Sequence, residues 1–115
     1  MERLTFAADR ASTPRDERLE GVTIAPLTAP LGAGAPVQAA IFRLAPGGRI
    51  ARHPATVPQI LAVLEGAGHV SGGDGELRPI AAGEGVFWPA GEEHETRTDT
   101  GLTALVLEAE GLEPR

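Results

Sequence analysis

The sequence has 115 residues, of which 42% are hydrophobic, and a formal net charge of −6 at pH 7, which together predict one globular domain rather than a disordered tail. It contains no cysteine, which excludes disulfides, zinc–thiolate sites and a cysteine nucleophile, and no lysine that could form a Schiff base. The basic residues are all arginine and are scattered along the chain, so the charge pattern argues against nucleic-acid binding.

The first twenty residues are predicted to form a unit that precedes the main domain. Residues 3–7 are predicted to be a short strand and residues 9–20 a polar loop. The N-terminus lacks the apolar core of a signal peptide, and no apolar run reaches 18 residues, so we expect a cytoplasmic protein with no membrane partner. Because the edge of a short barrel needs cover, we expect residues 1–8 to add a strand to a partner's sheet in a homodimer.

Short apolar segments alternate with glycine- and proline-containing turns in the rest of the chain, which has 15 glycines and 10 prolines in all. No sustained helical period of apolar residues follows Gly21, so the pattern predicts an all-β sandwich or barrel. Turns are predicted at residues 46–48, 72–75 and 90–91. Strands are predicted at residues 22–28, 38–45, 57–64, 67–71, 77–80, 85–88, 94–98 and 102–109.

The residues with the clearest chemical potential are the histidines. His53 lies just before a predicted strand, Gln59 lies near the start of that strand, and His94 opens another strand after a Pro-x-Gly turn. Imidazole nitrogens and amide oxygens are suitable ligands for divalent transition metals. His69 can contribute to such a site only if its strand turns it inward; otherwise it is a surface residue.

Two spaced motifs occupy the segments 47–66 and 83–98. The first reads Gly-x5-His-x-Ala-x3-Gln-x6-Gly and the second reads Gly-x5-Pro-Ala-Gly-x2-His-x3-Thr. They resemble the two motifs of the small single-domain bacterial cupins, Gly-x5-His-x-His-x3-Glu-x6-Gly and Gly-x5-Pro-x-Gly-x2-His-x3-Asn. The resemblance implies an antiparallel double-stranded β-helix, or jelly-roll barrel, over residues 21–112.

The resemblance also implies a metal site formed by His53, Gln59 and His94, with the ion open among Fe, Mn, Ni, Zn and Cu. Three motif positions differ: the second histidine is Ala55, the glutamate is Gln59 and the final asparagine is Thr98. Two imidazoles and a neutral amide bind a divalent cation more weakly than three imidazoles and a carboxylate, because both charge and ligand number are lower. The alternative is a vestigial histidine pair that hydrogen-bonds water, an anion or a small ligand.

A substrate pocket is predicted from strand alternation, because residues two and four positions after Gln59 and His94 share their face. These residues are Leu61, Val63, Thr96 and Thr98. Trp88 and Arg43 complete the predicted pocket. Two roles stay open for each: Trp88 forms a pocket wall or a dimer interface, and Arg43 holds an anionic substrate or lies exposed on its strand.

Two functions follow from this sequence. The first is a metal-dependent enzyme of the dioxygenase, isomerase or lyase type that acts on a small oxygen-bearing organic molecule. The second is a non-enzymatic protein that binds a small organic ligand without a metal. Retention of a stoichiometric metal ion on purification distinguishes the enzyme from the metal-free binder.

Overall fold

Seven antiparallel strands make up the framework of the described part of the chain, which in the computed structural model comprises residues 11–26 and 37–114. In chain order they are β1 (Leu19–Pro26), β2 (Gln38–Pro54), β3 (Gln59–Ser71), β4 (Arg78–Ala81), β5 (Gly85–Trp88), β6 (Glu93–Arg97) and β7 (Leu102–Glu108). The predicted strand at residues 3–7, the pairing expected of residues 1–8 and the end of the predicted strand 22–28 lie outside the described ranges.

The long strands β2 and β3 close the sheet into a barrel because each changes partner along its length. The first part of β2 pairs with β1 and β7, and its last part pairs with β6. The first part of β3 pairs with β5 and β7, and its last part pairs with β4 and β6. All of these pairs are antiparallel, and the described ranges contain no helix. The predicted all-β antiparallel barrel is confirmed.

Two predicted strand ends are wrong, because β2 and β3 continue through bulges at these places instead of ending in turns. The predicted turn at residues 46–48 lies within β2, where pairing with β1 jumps from Leu44 opposite Val22 to Arg49 opposite Glu20. A side chain at Gly48 would lie 2.8 Å from the carbonyl oxygen of Ala45, so the bulge requires glycine. The predicted strands 57–64 and 67–71 are likewise one strand, β3, whose pairing with β7 shifts between Val63 and Glu65.

The core of the barrel is aliphatic with a single tryptophan. Alternate residues of β7 point inward, and Leu102, Ala104 and Val106 are at most 4% exposed. Burying one such aliphatic side chain contributes about 1.5–3 kcal/mol to folding. The packed core also contains Val22, Leu44, Ile50, Ala55, Leu61, Val63, Val70, Ile80 and Trp88. An unfilled cavity lies beside this core, where polar residues enter the interior.

Candidate functional site

A cavity of about 220 Å³ lies inside the barrel and extends towards the loop that precedes β1. Most of its wall is apolar and is formed by Leu19, Ile24, Phe42, Ile50, Leu61, Trp88 and Val106. The polar residues that line it are Asp16, Arg18, His53, Gln59, His94, Thr96 and Glu108. An apolar cavity with a few convergent polar groups is the usual form of a small-molecule site.

The two motif histidines meet in this cavity because they are paired residues of adjacent strands. His53, near the end of β2, is opposite His94, near the start of β6. Their ring centres are 4.4 Å apart and the ring planes are inclined at 51°. Directly opposite side chains of an antiparallel pair lie on the same face, so the strand register alone brings both imidazoles together.

The backbone fixes the tautomer of both histidines. Nδ1 of His53 lies 2.8 Å from the carbonyl oxygen of Ala51, and Nδ1 of His94 lies 3.0 Å from that of Glu92. A carbonyl oxygen can only accept, so in both rings Nδ1 carries the proton and donates it. In the neutral form of each ring, Nε2 therefore carries the free lone pair, which is the state needed to bind a metal ion or accept a hydrogen bond from a ligand.

Trp88 holds His94 in place from the core side. The indole stacks on the imidazole with ring centres 4.2 Å apart and an interplanar angle of 27°. Trp88 is 2% exposed, and its Nε1 donates a hydrogen bond to the carbonyl oxygen of Ser71 at 3.1 Å. Burial lowers the pKa of His94 below its usual value, and the neighbouring His53 lowers it further. The ring is therefore neutral at pH 7, as a metal ligand or a hydrogen-bond acceptor must be.

The lowered pKa of His94 predicts that acid destabilises the metal-free protein. In the unfolded chain His94 takes up a proton at its ordinary pKa of 6.5, whereas the folded state resists protonation until lower pH. Below pH 6.5 the unfolded state therefore binds more protons, and the free energy of unfolding falls as the pH falls towards the folded pKa. Urea denaturation measures the free energy of unfolding at about pH 7.5 and at about pH 5. Between these two pH values, His94→Gln should lose less of this free energy than the wild type does.

The matched control for this experiment is His69→Gln, because His69 is exposed on β3. This variant should lose as much stability between the two pH values as the wild type does. An equal loss in the wild type and in His94→Gln would contradict the assignment of the effect to the buried imidazole.

A glutamine and a glutamate also line the cavity. Gln59, the first residue of β3, is paired with Glu108, the last residue of β7. The Nε2 amide group of Gln59 donates a hydrogen bond of 2.6 Å to Oε1 of Glu108. The carboxylate can only accept, so the amide orientation is fixed and Oε1 of Gln59 remains as an acceptor. Sequence reasoning missed Glu108, although strand alternation from Ala104 through Val106 places it on the inward face.

The polar loop before β1 contributes the entrance of the cavity, which sequence reasoning also missed. Nε of Arg18 donates a hydrogen bond of 2.9 Å to Oδ1 of Asp16, and this contact lowers the pKa of the Asp16 carboxyl to about 2. The carbonyl oxygen of Arg18 accepts a hydrogen bond of 2.7 Å from the backbone N–H of Ala51. The loop is thus attached to β2 two residues before His53.

The structure brings three of the six predicted pocket residues to the cavity. Leu61, Trp88 and Thr96 line it, together with the three predicted metal ligands. Val63 is 3% exposed and belongs to the packed core, but it does not line the cavity. Arg43 lines a separate cavity of about 420 Å³ on the other face of β2, because its neighbour Phe42 takes the inward position.

Thr98 lies away from the cavity and ties strands together. Its Oγ1 donates a hydrogen bond of 2.6 Å to the carbonyl oxygen of Ala67 and accepts one of 2.9 Å from the N–H of Gly101. Its backbone exchanges two hydrogen bonds with Gly47 and Gly48, at 3.0 and 3.1 Å. The last position of the second motif therefore fixes the bulge that begins the first motif.

Ala55 fills the position of the second motif histidine with a methyl group that is 4% exposed. Its N–H donates to the carbonyl oxygen of Glu92 at 3.0 Å, and its own carbonyl accepts from the N–H of Gly91 at 2.7 Å. These bonds join the β2–β3 connection to the turn before β6. Ala55 thus joins the two motifs through its backbone, while its side chain supplies no ligand.

The donor set fits a divalent transition metal in type but has fewer strong ligands than the motif pattern. The rings of His53 and His94, with their centres 4.4 Å apart, are close enough that both imidazoles would hold one ion. Gln59, whose amide oxygen is a donor of a suitable type, lines the same cavity. Within residues 11–26 and 37–114, however, no group of three or more His, Cys, Asp or Glu side chains could hold a metal ion.

The comparisons with known proteins agree with this architecture. The family model described as Cupin domain matches residues 40–109 of the chain. No curated protein matches it. Within the described ranges, no helix is long and apolar enough to cross a membrane.

Several solved structures are similar over most of this chain. The polyketide cyclase RemF from Streptomyces resistomycificus has 23% sequence identity and a TM-score of 0.82, covering 99% of this chain and 82% of its own. A cupin-like protein from Thermotoga maritima has 23% identity and a TM-score of 0.79, covering 91% and 82%. A predicted oxalate decarboxylase from the same organism has 26% identity and a TM-score of 0.71, covering 80% and 84%. The first two likenesses show the fold alone.

Proposed function

This chain belongs to the cupin domain family, and on that premise we propose that it is a metal-dependent enzyme acting on a small oxygen-bearing organic molecule. The observation that supports the proposal most strongly is the pair formed by His53 and His94. Both rings donate Nδ1–H to backbone carbonyls, so in the neutral rings both Nε2 atoms carry the free lone pair. The proposed third ligand is Oε1 of Gln59, and the ion is Fe, Mn, Ni, Zn or Cu.

The walls of the cavity suit a small substrate with a polar end. When bound, the ion would polarise a carbonyl or hydroxyl oxygen of the substrate as a Lewis acid. Phe42, Ile50 and Val106 line the cavity with apolar surface that excludes water, and Thr96 offers a hydroxyl group. The cavity of about 220 Å³ limits the ligand to a small molecule. We place the reaction in the dioxygenase, isomerase or lyase classes.

Two similar structures carry the names of enzymes, a polyketide cyclase and a predicted oxalate decarboxylase, which supports an enzymatic function for this fold. The fold by itself does not select a reaction, because function depends on the site. The proposal therefore depends on the two histidines, the amide and the cavity around them.

A second function, small-molecule binding without a metal, is favoured by one specific observation. In the part of the chain that the structure describes, no third His, Cys, Asp or Glu joins the two histidines in a group that could hold an ion. In this alternative, Nε2 of each histidine and the amide of Gln59 would hydrogen-bond the ligand directly.

We also propose that the protein is a cytoplasmic homodimer. Strand β1 stands at one end of the strand order, and apart from the bridge between Ser12 and Ile24 its outer edge has no strand partner among the described residues. Such an edge is a natural place for a strand from a second copy of the chain.

The test is the metal content of untagged protein, measured by elemental mass spectrometry. We expect about one transition metal ion per chain in the wild type and less than about a tenth of that in His53→Ala and His94→Ala, because each variant removes one of two imidazole ligands. His69→Ala is the matched control, since His69 is exposed and lies outside the cavity, and it should keep its metal.

An empty wild-type protein would contradict the metal-dependent function if it stayed empty after dialysis against each of the five metals. The metal-free binder would then be the better account. Fluorescence of Trp88, the only tryptophan, would report binding of small organic ligands because the indole lines the cavity.

A further inference from the structure

The cavity contains a carboxylate that neither motif includes. Glu108 ends β7 and lies directly opposite Gln59, which begins β3. The carboxylate accepts a hydrogen bond of 2.6 Å from the amide of Gln59, and both residues line the same cavity as His53 and His94. In the first motif of the family, the position of Gln59 is occupied by glutamate. Here the amide is on β3, and a carboxylate on β7 is hydrogen-bonded to it.

The charges around the cavity make Glu108 the excess anion. Asp16 is paired with Arg18, so together these two residues contribute no net charge. Within the described ranges the hydrogen-bond partner of the Glu108 side chain is the neutral amide of Gln59. A half-buried carboxylate with a neutral partner favours the binding of a cation beside it.

We propose that Glu108 has taken over the role of the motif glutamate, supplying the negative charge of the site while Gln59 supplies the oxygen ligand. This inference rests on the proposed metal-dependent function. Glu108 acts in two ways. Its charge attracts the divalent ion, and its hydrogen bond turns the NH₂ group of Gln59 towards β7, so that Oε1 stays available to the ion. For Gln59, Glu108 is therefore a positioning residue.

The exchange of amide and carboxylate across β3 and β7 can be tested by reversing it. Three proteins are compared with the wild type: Glu108→Gln, the double variant Gln59→Glu with Glu108→Gln, and Glu110→Gln as a control. Glu110 is an exposed acid two residues beyond Glu108, so its change removes the same charge outside the cavity. The readout is the dissociation constant of Ni²⁺ for the metal-free protein, measured by titration calorimetry, with thermal unfolding of each protein as a check on folding.

We expect Glu108→Gln to weaken Ni²⁺ binding by about 10-fold or more, as is usual when a group that orients a metal ligand is lost. The double variant should recover affinity to within about 3-fold of the wild type, because it restores one carboxylate and one amide in exchanged places. Glu110→Gln should bind like the wild type. A role of Glu108 in folding alone would not produce this recovery.

Two results would overturn the inference. One is wild-type affinity in Glu108→Gln, and the other is a double variant that folds but binds Ni²⁺ no better than Glu108→Gln does. In both cases, the proposed metal site would still be supported if His53→Ala no longer bound Ni²⁺. A wild type that binds no Ni²⁺ would instead contradict the proposed function, and the role of Glu108 with it.

Discussion

Replacing Trp88 with alanine is expected to remove about 3–5 kcal/mol from the free energy of unfolding, the usual cost of truncating a large buried aromatic side chain. Trp88 is 2% exposed and packs in the central apolar cluster. Its loss would open a void beside His94, whose ring stacks on the indole. The carbonyl oxygen of Ser71 would also lose the hydrogen bond that Nε1–H of Trp88 donates to it. One substitution therefore affects both the core and the candidate site.

Urea denaturation followed by circular dichroism measures this loss of stability, because the substitution removes the only tryptophan and fluorescence can no longer follow unfolding. Trp88→Phe is the matched control, because a phenyl ring can keep the stacking on His94 but cannot donate to Ser71. Trp88→Phe should lower the free energy of unfolding by about 1–3 kcal/mol, which is less than the alanine variant loses. This loss comes from the unsatisfied carbonyl of Ser71 and from the smaller ring. An alanine variant within about 1 kcal/mol of the wild type would show that the core is not packed around the indole as described.

Replacing Gly66 with alanine is expected to be at least as damaging, because two independent costs combine there. Gly66 has a φ of 81°, a left-handed conformation that costs an L-residue about 1–2 kcal/mol. A Cβ at this position would also overlap the backbone carbonyl of Gly101, which cannot move without disturbing the β3–β7 pair. We expect a loss of several kcal/mol, a large share of the roughly 5–15 kcal/mol that stabilises a typical domain.

Gly47 separates the two costs. Its φ of 82° is nearly the same, but a Cβ there would meet nothing within 4 Å. Gly47→Ala should therefore lose only the conformational part, about 1–2 kcal/mol. Both glycines occupy motif positions, one at each end of the first motif. Equal losses in the two variants, measured by urea denaturation, would contradict the close contact between Gly66 and Gly101.

The fold was predictable from the sequence to a large extent because turns and strands obey local rules. The spacing of the two motifs and the short apolar segments predicted the barrel, which the structure confirms. The errors fall at residues 46–48, where glycine permits a bulge within β2, and at residues 65–66, where β3 continues after a bulge between Val63 and Glu65. A sequence pattern predicts a turn and a bulge in the same way, because both use glycine in conformations that other residues avoid.

The site was less predictable, because strand pairing and not chain order decides which residues meet. His53 and His94 follow from motif spacing, but Glu108 reaches the cavity only because β7 pairs with β3 in the register that sets it opposite Gln59. Thr98 shares the inward parity of His94, yet its hydroxyl is taken by backbone groups of Ala67 and Gly101. Strand alternation predicts the face of the sheet on which a side chain lies. It does not predict how deep in the barrel that side chain lies or which groups it hydrogen-bonds.

The most direct test of this account is anomalous X-ray diffraction at the absorption edge of the metal, on crystals of protein loaded with Ni²⁺. The account predicts one anomalous peak inside the cavity, about 2.1 Å from Nε2 of both His53 and His94, with Oε1 of Gln59 beside it. A peak at exposed His69, or no peak in the cavity of a loaded protein, would contradict the metal site and favour a barrel that binds its ligand by hydrogen bonds alone.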